Sequence, residues 1–194
     1  LLLIVVIFPL IKLLHEFGHA IATKAGGGEV HEMGVMMLVL MPIPYVDASS
    51  ATVFREKSSR VLVGAAGMLT ELFIAAVAMV FWTYLDPGFE RAIAYNVMMV
   101  AGVSTLLFNG NPLLRFDGYY ILADYLEIPN LGQRSNKYIG YLIQKYLFGL
   151  KRLSAPVESA GEITWFIGYA ITSFIYRMVM AVTIIIFVAS KLFF

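Results

Sequence analysis

The chain has 194 residues, 60% of them hydrophobic and only 14% charged, with a formal net charge of +1 and a mean hydropathy of +0.80. Soluble domains are about half apolar and about a quarter charged, so this composition excludes an ordinary soluble fold and points to an integral membrane protein. The balanced charge leaves no basic stripe for nucleic acid. The lack of cysteine excludes disulfides and thiolate metal sites, leaving His and carboxylate as ligands for any metal.

Taken in order, the elements predict an all-α polytopic membrane protein. It has about four transmembrane helices, a small membrane-associated β-hairpin or re-entrant segment, and an interfacial amphipathic helix. The first span runs from about Leu1 to Lys24, with Pro9 as an expected kink. It starts without methionine inside an apolar run, so further residues are expected upstream. It lacks a small-residue cleavage site, which argues against a signal peptide.

Residues 25–60 hold the triplet Gly26-Gly27-Gly28, an apolar run from Val35 to Met41, the break Pro42-Ile43-Pro44, and then a polar stretch. That run is too short to span as a helix and reads as a strand or re-entrant hairpin against the membrane. The second span, about Val61 to Leu85, opens with Gly64-Ala65-Ala66-Gly67, a cluster that lets helix backbones approach closely in lipid. A tight turn at Asp86-Pro87-Gly88 leads into the third span, about Ala92 to Phe108.

Residues 109–162 begin with the breakers Asn109-Gly110-Asn111-Pro112. A short helix follows over Tyr119 to Glu127, then an amphipathic interfacial stretch near Tyr138 to Leu150 with Lys137, Lys145, Lys151 and Arg152. The fourth span is about Ile163 to Leu192. The expected domains are a core over 1–127 (hairpin connection 25–60, Asp-Gly motif 111–118), an interfacial connection over 128–162, and a C-terminal transmembrane helix over 163–194. Lys24, Arg55, Lys57 and Arg60 mark one long connection. Arg115, Arg134, Lys137, Lys145, Lys151 and Arg152 mark the other, whereas the short turn has only Arg91. By the positive-inside rule both long connections face the cytoplasm.

The chemistry is concentrated in His15-Glu16-Phe17-Gly18-His19, an HExxH motif inside the first span. Histidines at i and i+4 share a helix face and can converge on one Zn²⁺, with the intervening glutamate placed to take a proton from water. His and Glu are costly in a bilayer and usually mark a functional site. A zinc hydrolase usually needs a third protein ligand. His19 is five residues from Lys24, roughly 7 Å at 1.5 Å per residue, and Asp117 follows the return of the third span to that same side. Asp117 is therefore the first choice, with Glu71, His31 and Asp124 as competitors. His31 reads as a solvated connection residue. Glu71 reads as a buried carboxylate paired with Arg115 or Arg177, or protonated. Arg177, inside the last span, should meet a carboxylate or a watery cavity.

HEFGH in the first span, GAAGMLTE in the second and NPLLRFDG after the third together resemble the site-2 protease family of intramembrane zinc metalloproteases, and most nearly its bacterial peptide zinc metalloprotease branch. The resemblance covers about residues 1–127. It implies zinc ligands His15, His19 and Asp117, Glu16 as general base, and Asn111 as a substrate-positioning residue. It also implies a multi-pass protein of the bacterial inner membrane, with its site towards the cytoplasm and a membrane-embedded or membrane-associated peptide as substrate. The family's second motif commonly has Gly-Pro followed by Asn, where this chain has Gly67-Met68-Leu69-Thr70-Glu71. The hairpin is expected to offer a strand edge to an extended substrate. The competing reading is a metal-binding scaffold or transporter component of a peptide maturation or export system. Transport needs ligands but no base, so the presence of Glu16 favours an enzyme.

Overall fold

The computed structural model describes residues 2–38, 41–150, 154–157 and 159–192. Leu1, Val39, Leu40, Lys151 and Arg152, which enter the expectations above, lie outside these. The described chain is an all-α polytopic membrane fold with one small hairpin. Its elements are α1 (Leu2–Ala25), β1 (Met33–Leu38), β2 (Met41–Val46), α2 (Lys57–Tyr84), α3 (Phe89–Ser104), α4 (Asp117–Leu126), α5 (Leu131–Tyr146) and α6 (Ala160–Leu192). Four helical stretches, residues 3–25, 57–84, 89–109 and 161–191, are long and apolar enough to cross a membrane. The chain forms two compact units, Leu1–Tyr125 and Leu126–Phe194.

In the first unit α1 is helical straight through Pro9. The glycine triplet ends it: Gly28 N–H donates to Thr23 O at 2.9 Å and Gly27 takes φ +84°, a left-handed stop that glycine adopts without a side-chain penalty. Ile7 and Ile11 bury against Ala101 of α3, with Ile74 and Ala75 of α2 packed alongside. Lipid supplies no hydrophobic force between helices, so close backbone approach and polar pairs must hold them together. The small residues provide that approach. A Cβ on Gly18 of α1 would lie 2.9 Å from Ala66 O of α2, and one on Gly64 would lie 3.0 Å from Ile121 of α4.

β1 and β2 pair antiparallel from Met33↔Val46 to Leu38↔Met41. The turn thus falls after Leu38, and Pro42 and Pro44 sit inside β2 instead of breaking the run as expected. The register explains their tolerance. Asp47 N–H donates to Glu32 O at 2.8 Å, so Asp47, Tyr45, Ile43 and Met41 turn their N–H groups toward β1. Pro42, Pro44 and Val46 alternate with them and face away from the ladder, where a missing N–H costs no bond. β2 is also the strand beside α1.

α3 continues into a single π turn over Thr105–Asn109, closed by Gly110 N–H donating to Thr105 O at 2.7 Å. α4 then starts at Asp117, two residues before the expected Tyr119, because Gly118 lets its first turn sit on the chain just before it. A Cβ there would come within 2.7 Å of Gly110 O and 2.9 Å of Asn109 O.

In the second unit α5 begins at Leu131, seven residues before the expected Tyr138. Asn130, in the left-handed region at φ 54°, turns the chain into it. Arg134 of α5 pairs with Glu162 of α6 at 2.9 Å and lies over the Phe166 ring. Arg177 of α6 meets no carboxylate among the described residues; its Nε donates to Ser173 O at 3.1 Å, one turn back on its own helix.

Candidate metal centre

Lys12, His15 and His19 fall at i, i+3 and i+7 of α1, one helix face. The facing stripe of α2 is Val63, Gly67 and Glu71, at i, i+4 and i+8, all buried. This pairing of stripes builds the centre. His19 is turned by the Val63 carbonyl, 2.8 Å from its Nδ1, which leaves Nε2 without a proton and aimed inward. His15 Nε2 lies 3.1 Å from His19 Nε2. Asp117, in the first turn of α4, brings Oδ2 to 3.0 Å from His15 Nε2 and Oδ1 to 3.5 Å from His19 Nε2.

These three residues form a group that could hold a metal ion. Ligands about 2.0–2.1 Å from a tetrahedral ion stand about 3.3 Å from one another, which matches the three separations. Asp117 Oδ2 is buried and accepts no hydrogen bond, despite its closeness to His15. The atoms thus gather round a shared point rather than bonding one another. Gly67 leaves that point clear: a Cβ there would lie 2.5 Å from His15 Nε2 and closer still to His19 Nε2. Burial alone would push the Asp117 carboxyl up, but hydrogen bonds and charge from His15 and His19 hold it well below the usual carboxylate range. An ionised carboxylate with two imidazole nitrogens suits a borderline divalent cation.

Glu16, half-buried, lines a cavity of about 480 Å³ with His19, Val46, Arg60, Asp117 and Asp124. The backbone of Val46 hydrogen-bonds its carboxylate, so the outward edge of β2 is the edge that meets the site. Arg60 pairs with Asp124 across 3.6 Å on the cavity wall. Burial raises the Asp124 carboxyl against the pull of Arg60.

Of the other candidates, His31 is exposed, 4.0 Å from Glu29, and Asp124 serves Arg60. Asn111 turns its Oδ1 onto the N–H of Leu113 at 2.9 Å, capping its own loop. Glu71 corrects the pairing expected of it: its partner is neither Arg115 nor Arg177 but Lys12, whose Nζ donates to Oε1 at 2.7 Å. Thr105 Oγ1 and, at 3.0 Å, Asn109 Nδ2 donate to Oε2. His15 Nδ1 stands 3.1 Å from Oε1, although its N–H is not aligned for a hydrogen bond. Lys12, Gly67, Thr105 and Asn109 were not singled out from the sequence. A lysine and a glutamate each inside an apolar span were the available signal, since such charges pair with one another. No protein-family model, curated protein or solved structure matches this chain.

Proposed function

We propose that this chain is an intramembrane zinc-dependent endopeptidase that cleaves membrane-embedded or membrane-associated peptides, as the resemblance to site-2 proteases implies. The observation that carries this reading is the gathering of His15, His19 and Asp117 within 3.0–3.5 Å in a chain whose first span also supplies Glu16 beside the same cavity. His15, His19 and Asp117 would hold the ion. Zinc, when bound, supplies a Lewis acid that polarises the scissile carbonyl and makes water a stronger nucleophile. The Glu16 carboxylate takes the proton from the attacking water and returns it to the leaving amine.

A helical substrate must unwind before attack, and an extended one can lie along β2. That edge is unusual: prolines at 42 and 44 leave it carbonyl acceptors but no N–H except that of Val46, already turned to Glu16. The substrate therefore brings the donors. The positive charge of the two long connections supports a cytoplasmic opening at a bacterial inner membrane.

The test is zinc content and cleavage of a transmembrane reporter peptide by the purified chain. Wild type should hold one zinc and cleave. Asp117→Ala should lose the metal, and Glu16→Gln should keep it while cleavage falls about 10²- to 10⁴-fold. Full cleavage by Glu16→Gln refutes the assignment. Zinc without cleavage in wild type would favour the scaffold reading instead.

A further inference from the structure

The carboxylate of Glu71 is completely buried in a span, does not join the three-donor group, and yet collects more partners than any ligand. Four donor groups converge on its two oxygens: Lys12 Nζ at 2.7 Å and His15 Nδ1 at 3.1 Å from Oε1, Thr105 Oγ1 and Asn109 Nδ2 on Oε2. Two come from α1 and two from the π turn, while Glu71 itself belongs to α2. The carboxylate is therefore clamped from three sides, and its one contact toward the centre is the back of the His15 ring.

That back is the decisive atom. An imidazole ligates through one nitrogen, and the hydrogen bond at the other fixes which nitrogen is bare and how the ring is turned. His19 has a backbone carbonyl for this purpose. His15 has no carbonyl at Nδ1; among the described residues it has Glu71. The π turn serves the same end, because its widened backbone brings Thr105 and Asn109, four residues apart, onto one carboxylate. Such bulges recur at functional sites.

Resting on the metal reading above, we infer that Glu71 is a positioning residue for the metal centre. Held by Lys12, Thr105 and Asn109, it takes the Nδ1 proton of His15 and keeps Nε2 bare toward the ion. The competing role is purely structural, the neutralisation of Lys12 in the membrane. The two roles separate in paired substitutions, since replacing both partners of a buried ion pair by apolar groups is often neutral for folding.

The experiment uses the full chain in detergent. It measures zinc affinity by competition with a chromophoric chelator, the visible spectrum of the cobalt(II) form, and the melting temperature of the metal-free protein. Lys12→Met with Glu71→Met should melt like wild type but bind zinc about 10- to 100-fold more weakly, with altered cobalt bands. Lys12→Met with Glu71→Gln, which returns an acceptor to His15, should recover part of both. Wild-type affinity and spectrum in the double methionine variant overturn the inference while leaving the metal site standing, provided Asp117→Ala still abolishes binding. No metal in wild type overturns both. If the double methionine variant does not fold, Thr105→Val decides: weaker zinc binding at an unchanged melting temperature supports the role, and unchanged binding overturns it.

Discussion

α1 and α6 are both apolar helices that carry polar residues at membrane depth, yet they satisfy them in opposite ways. On α6, Thr172 donates to Gly168 O, Thr183 to Val179 O, Ser190 to Phe187 O and Arg177 to Ser173 O. Each bond returns to the preceding turn of the same helix, so these groups need no neighbour. On α1, Lys12, His15 and His19 reach Glu71 and Val63 of α2 and Asp117 of α4. A polar residue that bonds its own helix makes the span tolerable in lipid; one that bonds another helix fixes a geometry. Only the second kind can build a site, and only there should substitution be felt at a distance.

The strongest challenge to this contrast is Gly67→Ala. The added carbon would enter the space between the two imidazoles, so zinc content should fall to background and the α1–α2 packing should lose about 1–3 kcal/mol, read by metal analysis and thermal melting. Gly118→Ala comes next. It pushes the first turn of α4 off Gly110 and should weaken zinc binding by moving Asp117, with the histidines untouched; a chelator competition assay measures this. The smallest effect belongs to α6, where Thr172→Val should change stability by no more than about 0.5 kcal/mol and leave zinc content and cleavage at wild-type levels. A large loss of cleavage from Thr172→Val would erase the distinction between the two helices.

Hydropathy and breakers were enough to read the four spans, because length and composition report them locally. The hairpin was readable from its apolar run, but its turn was not: Pro42 and Pro44 look like a break until the ladder's register shows them facing outward. Asp117 could be matched to the histidine pair because topology returns it to the same end of the spans. Glu71 could not be matched to Lys12 by that route. Their meeting depends on the rotation of α1 against α2, which periodicity in either helix alone does not determine. Asn109 escaped notice for a related reason. Asn111 stands two residues away in the more conspicuous motif, and only the π turn decides which asparagine turns inward.

That turn has a consequence for how the chain tolerates change in length. A π turn is an α-helical segment carrying one surplus residue, and each residue advances a helix by about 100°. Leu106 and Leu107 within it are exposed and touch none of the site's polar atoms. Deleting either would let the segment relax to ordinary α-helix and swing everything downstream, Asp117 included, out of phase with the histidines. The ligands would all still be encoded, and the site would be gone. The count of residues between the histidine motif and its aspartate is thus as much a part of the site as the residues themselves.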